Sequence, residues 1–232
     1  MGFFDRSFIR HVILDPFTVI KRYQVISQRD SRLNEVFFQQ AYHWLAMQLR
    51  PNTTVLDIGA NIGDTAIYFA QFREVNKVIA YEPFPYTYKL MLRYLKQCPL
   101  SSKISPKNEA IGKQKGTINV NTNEEDSTSM TMRDMSSESG KSIKIITLST
   151  ALKGLKNVVI KCDAEGAEEY IFDNAELNQV YAMIMEWHGR NIMEHVSKRL
   201  KQCGFETKCV QSRKDEKCGM VGNLYAYKEK DL

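Results

Sequence analysis

At 232 residues with a formal charge of +5, the chain can bury one substantial core but not two, so one domain with an N-terminal extension is expected. An apolar fraction of 43% and a charged fraction of 25% are ordinary globular values and speak against a disordered or fibrous class. Lysines and arginines are scattered among acidic residues, so nucleic-acid binding is not required, and no run approaches the roughly 18 apolar residues of a spanning helix.

Residues 1–52 are read as a helical extension, with Phe4, Phe8 and Val12 on one face and a break at Pro16. A second run of Val36, Phe37, Tyr42, Trp44, Leu45 and Leu49 follows, and Arg50-Pro51-Asn52 makes the turn into the core. The start Met1-Gly2-Phe3-Phe4-Asp5-Arg6 is not a cleavable signal, and Arg6 stands where a myristoylation motif has Ser or Thr. Aromatics mixed with Arg6, Arg10 and His11 over 3–13 suit peripheral membrane contact; a helix over the mouth of a site, or at a homodimer interface, is preferred.

From residue 53 the pattern repeats strand, loop, helix: a strand over 54–58, a helix over 65–72, a strand over 77–82, then a helix with Tyr88, Leu92 and Leu95. Such βαβ units predict a doubly wound, mostly parallel α/β sheet across 53–232. Strands over 116–120 and 142–148 flank a polar stretch, 121–140, read as a hairpin-like insertion with a mobile tip. Its segment 127–135 is read either as a closing loop or as plain surface. Buried strands are predicted over 157–163 and 182–188, and helices over 167–174 and 192–203. Gly204 ends the last helix, and closing strands run over 205–211 and 223–228. Cys98, Cys162, Cys203, Cys209 and Cys218 form no C-x-x-C pair and are an odd set, which predicts reduced thiols in a cytoplasmic protein.

The strongest chemical signal is Asp57-Ile58-Gly59-Ala60-Asn61-Ile62-Gly63-Asp64-Thr65, between a predicted strand and a predicted helix. Gly59 and Gly63 allow a tight turn and close approach of a nucleoside-type ligand, and Asn61 tolerates positive φ. Glu82 ends the next strand about 20 residues on, where a carboxylate accepts hydrogen bonds from ribose hydroxyls. Asp57 and Asp64 would repel a pyrophosphate, whereas S-adenosylmethionine presents a cationic sulfonium and amino group. Asp163, Glu165, Glu186 and His188 terminate two neighbouring strands, where ligands collect in open α/β sheets. His188 is the candidate base for an acceptor hydroxyl, oriented by Glu186 or Glu165. A divalent cation on the same four side chains is the alternative; the transfer does not require one, and no metal is assigned.

Five ordered segments resemble the FkbM family of methyltransferases across most of 53–190. They are 55–64, Tyr81-Glu82-Pro83, Asn108-Glu109-Ala110-Ile111-Gly112, Ile160-Lys161-Cys162-Asp163-Ala164-Glu165-Gly166-Ala167-Glu168 and Ile184-Met185-Glu186-Trp187-His188. The resemblance implies a Rossmann-like, seven-stranded methyltransferase sheet with helices on both faces, S-adenosylmethionine as donor, and a small hydroxylated acceptor such as a polyketide, sugar or lipid. It would place Asp57, Gly59, Asn61 and Gly63 at the methionine side with Asp64 and Asp163 nearby, Glu82 at the ribose, and Asn108 and Ala110 at the adenine edge. Two other readings remain on the same fold. A nicotinamide-dependent oxidoreductase would need phosphate-compatible charge near Gly59, and a non-catalytic binding module would have no use for the acidic-His cluster.

Overall fold

The computed structural model describes residues 42–120, 140–215 and 219–229. The predicted helices before residue 42, the insertion tip over 121–139 and Cys218 lie outside the described residues. The chain runs α1 (His43–Met47), β1 (Thr53–Ile58), α2 (Asp64–Ala70), β2 (Val75–Tyr81), α3 (Pro85–Leu95), β3 (Ile104–Lys107), β4 (Glu109–Gly112), β5 (Gly116–Val120) and β6 (Lys141–Thr147). It continues through α4 (Leu148–Leu152), β7 (Val158–Cys162), α5 (Glu168–Ile171), β8 (Val180–His188), α6 (Arg190–Gln202), β9 (Glu206–Asp215) and β10 (Gly219–Tyr227).

Seven strands make one sheet in the order β3-β2-β1-β7-β8-β10-β9. The first five are mutually parallel, and β10 lies antiparallel between β8 and β9. A parallel core needs cover on both faces, and the strands carry the residues for it. In β1, Val55 belongs to one apolar cluster with Leu45, Ile67, Phe69 and Met91 from α1, α2 and α3. Leu56 and Ile58 point the other way, toward Leu148, Ile171, Val196 and Leu200 from α4, α5 and α6. The period of two along one strand therefore feeds two layers of helices. Leu45 is fully buried in the first cluster, so α1 shares the core of the sheet.

The predicted doubly wound sheet is what the chain forms, with three local differences. The edge strand β3, Ile-Ser-Pro-Lys, was not expected, because it is short and contains a proline, which only an edge strand accommodates readily. The insertion is a separate three-stranded sheet, β4-β6-β5: β5 pairs antiparallel with β6 as a hairpin would, and β4 adds in parallel. The strand predicted to reach residue 148 stops at Thr147, whose hydroxyl accepts the Thr150 N–H and caps α4. No helix among the described residues is long and apolar enough to cross a membrane.

β1 leads away toward β2 and β3, and the chain later returns on the other side of β1 to form β7. The carboxyl ends of β1 and β7 thus flank the crevice where the strand order reverses. On the far side of the sheet, Gly222 of β10 has no room for a side chain: a Cβ there would sit 2.2 Å from the Val210 carbonyl oxygen and 2.5 Å from Trp187 Cζ2. Gly222→Ala is expected to cost about 1–3 kcal/mol through overpacking, read as a lower midpoint in chemical denaturation.

Candidate active site

The glycine turn leaves β1 at Ile58 and is fastened to β2, since the N–H groups of Gly59 and Ala60 both donate to the Tyr81 carbonyl, at 3.0 and 2.9 Å. Gly59 has φ +73°, and a Cβ on it would lie 1.7 Å from the Asp163 carbonyl oxygen. The glycine is therefore demanded by the backbone of the neighbouring strand end, a requirement separate from any ligand. Asn61 takes φ 49° and donates its N–H to Glu82 Oε2 at 2.9 Å. Gly63, at φ +88°, faces Met91 of α3, whose Cγ would lie 2.9 Å from an added Cβ. Asp64 is buried, and its Oδ1 accepts the Thr65 N–H at 2.8 Å.

Asp57 and Lys161 stand opposite each other in the β1–β7 register, on the face covered by α1 to α3. Their side chains are 0% and 4% exposed and form an ion pair at 3.2 Å. The Lys161 ammonium also donates to the Gly59 carbonyl at 2.6 Å and lies 6.0 Å from the centre of the Tyr42 ring. Burial alone would strip the proton from Lys161, but Asp57 and nearby acids hold it well above the ordinary lysine range. Burial likewise pushes the Asp57 carboxyl up, against the pull of Lys161. The sequence signal for Lys161 was a lone cation inside the strand Val-Val-Ile-Lys-Cys; a buried cation requires a buried partner.

Glu82 is buried, and besides Asn61 it accepts the Phe84 N–H at 2.8 Å, so both carboxylate oxygens brace the turn. Burial raises its pKa to about 8, against these two amide bonds. Asn108 donates from Nδ2 to the carbonyls of Glu82 and Pro83, each at 2.9 Å, and so holds the loop that carries Glu82. Ala110 is 4% exposed in β4, in register with Ile145 of β6. The turn, Glu82 and Asn108 thus form one hydrogen-bonded unit.

The second group gathers at the ends of β7 and β8. Asp163, Glu186 and His188 offer donor atoms within 4.8 Å of one another, a set able to hold a divalent cation. Asp163 Oδ1 is buried with no hydrogen-bond partner. His188 Nε2 lies 3.5 Å from Glu165 Oε2, and His188 Nδ1 lies 3.4 Å from Glu168 Oε1. Burial would lower the His188 pKa, but Glu168, then Asp163 and Glu165, raise it to about 9. Glu168 was absent from the sequence-based assignment; its signal was a third carboxylate, three residues beyond Glu165 in the same short segment.

The buried pair generates a test. Lys161→Met would leave Asp57 buried and unpaired and should cost about 3–5 kcal/mol in chemical denaturation. Adding Asp57→Asn should recover much of that loss, because the orphaned charge is then gone. Two additive penalties would show that the two side chains do not act as a pair.

A model of the methyltransferase FkbM domain matches residues 57–207, which runs from the Asp57 turn through the His188 cluster. Among solved structures, methyltransferase FkbM from Methylobacillus flagellatus superposes with a TM-score of 0.55 at 13% identity, covering 90% of this chain and 59% of that one. The METTL16 MTase domain superposes with a TM-score of 0.52 at 12% identity, covering 94% of this chain and 81% of that one. These two likenesses concern the fold. No curated protein sequence matches the chain. With well over half of its length matched by one family model, the chain belongs to the FkbM methyltransferase family.

Proposed function

We propose that this protein transfers a methyl group from S-adenosylmethionine to a hydroxyl of a small molecule, sugar or lipid. The observation that carries the reading is a convergence at one end of the sheet: the Gly59–Gly63 turn, the braced carboxylate of Glu82 and the Asp163, Glu165, Glu186 and His188 cluster. The donor set suits a cationic cofactor. Asp57 forms an ion pair with Lys161 and Asp64 bonds the helix backbone, while Asp163 at the crevice keeps a buried oxygen without a hydrogen-bond partner, as do both oxygens of Asp57. A pyrophosphate brought beside the carboxylates around His188 would be repelled, which disfavours a nicotinamide cofactor.

S-adenosylmethionine supplies an electrophilic methyl on a sulfonium that departs as a neutral thioether. The residues around it have separable tasks. Asp57, Gly59, Asn61, Gly63 and Asp64 shape the methionine side, with Asp163 beside it. Glu82 accepts from ribose hydroxyls with the lone pairs its two amide bonds leave open, and the Asn108 and Ala110 segment borders the adenine. Glu165 and Glu186 bind the acceptor hydroxyl, and His188 takes its proton as the C–O bond forms. At neutral pH His188 holds a proton of its own, and a positive charge brought beside the same carboxylates loosens that proton.

Calorimetric titration with S-adenosylhomocysteine, and with NADH in parallel, tests the reading. Micromolar binding of the former and none of the latter is expected; the reverse would overturn it. The pH dependence adds a residue-level check. Below about 8 Glu82 carries a proton, and acceptance of ribose hydroxyls favours the ionised form. Binding should therefore release a proton and tighten as pH rises through about 8. Folding runs the other way: the folded-state value lies above the ordinary 4.5, so the stability from this group is full below 4.5 and is lost as pH climbs toward 8.

A further inference from the structure

Glu168 is the carboxylate of the cluster that water does not reach, with a side chain 0% exposed. Its Oε1 accepts the Ala164 N–H at 2.7 Å and its Oε2 accepts the Gly166 N–H at 2.8 Å. These two amides flank Glu165, which takes φ 50° beside Gly166 at φ +100°. A non-glycine residue in that region carries strain of about 1–3 kcal/mol, so something must hold the turn, and the Glu168 carboxylate bonds it on both sides. The same Oε1 is 3.4 Å from His188 Nδ1, a buried ring nitrogen that makes no hydrogen bond, so the carboxylate acts on it through charge at close range.

We propose that Glu168 is a positioning residue: a single immobilised carboxylate sets the turn that presents Glu165 and also the tautomer of His188, keeping a proton on Nδ1 so that Nε2 exchanges protons with the acceptor. A carboxylate that already receives two amide N–H groups can only accept, so the ring nitrogen facing it must be an N–H. The opposite tautomer would set the Nδ1 lone pair against a buried anion, the costlier arrangement where water is excluded. Nε2 faces Glu165, whose side chain is 47% exposed and free to yield to a ligand. Of the other charged groups around the ring, Asp163 and Glu186 each bring an oxygen to within 4.8 Å of a ring nitrogen, and Arg190 at the start of α6 pairs outward with Glu194 at 3.2 Å. The antiparallel neighbour opposite His188 is Val221, which carries no charge.

In the reaction, the acceptor O–H bond breaks as its oxygen takes the methyl and the methyl–sulfur bond breaks; the proton adds to Nε2 and later leaves to solvent, while the Nδ1 proton stays facing Glu168. This assignment rests on the reading of His188 as the proton acceptor. Its test uses no cofactor, so a failure here is distinguishable from a failure to bind S-adenosylhomocysteine.

The experiment is a ¹⁵N NMR pH titration of the imidazoles in the full chain, with His188→Gln to assign the resonance. In the wild type, neutral His188 is expected as the Nδ1–H tautomer. In Glu168→Gln the tautomer preference should be lost and the His188 pKa should fall by about one unit or more. Glu165→Gln should keep the tautomer and move the pKa less. An Nε2–H wild type, or a Glu168→Gln protein with unchanged tautomer and pKa, overturns the proposal. The wild-type tautomer decides the matter even if Glu168→Gln does not fold.

Discussion

An ammonium group cut off from water has to be neutralised where it stands, and Lys161 stands in the centre of the sheet. Its partners are Asp57 on the adjacent strand and the carbonyl of Gly59 at the start of the turn. One cation therefore joins β1, the turn that leaves it and β7. The Asp163 N–H donates back to the Ile58 carbonyl, and the Asp163 carbonyl occupies the space where Gly59 would carry a Cβ. The glycine turn and the end of β7 are registered on that contact. Buried pairs of this kind add little net stability over an apolar substitute, so its value lies in the one arrangement it allows.

The acids near the crevice divide by what they already hold. Asp57 holds Lys161, Asp64 holds its own helix, and Glu82 and Glu168 each brace a turn through two backbone amides. These four are architecture as much as chemistry. Asp163, Glu165 and Glu186 lie around His188. Against burial, Glu168 first and then Asp163 and Glu165 hold the His188 proton to about 9, and the same carboxylates make the crevice receptive to a cation. The two carboxylates bracing turns act at matching positions, one beyond β2 and one beyond β7. In each case a turn with a positive-φ residue, Asn61 or Glu165, is held by a buried glutamate.

Much of this was legible in the chain itself. Runs such as Thr-Thr-Val-Leu-Asp-Ile and Val-Val-Ile-Lys-Cys are too short and too β-rich for helices, and their alternation with amphipathic stretches gave the parallel sheet and its helical cover. The glycine turn, Glu82 and the Asp163 to His188 cluster were found from their places at strand ends. The four-residue strands β3 and β4 were missed because pairing with neighbours, and not their own pattern, makes them strands. Asn108, expected at the adenine edge, is seen bonding two loop carbonyls, a task no local pattern announces.

The sequence by itself determined the alternation of strands and helices, the residues able to turn backward, and the chemical types at the strand ends, because these follow from side-chain periodicity and local backbone sterics. Only the tertiary structure decided that Lys161 faces Asp57, that Gly59 answers to the Asp163 backbone, and that Glu168 reaches both its own turn and His188. Those contacts span 20 to more than 100 residues or depend on which lone pair faces which N–H, and strand order and burial set them. The sequence names the donors and acceptors, and the fold decides which of them meet away from water.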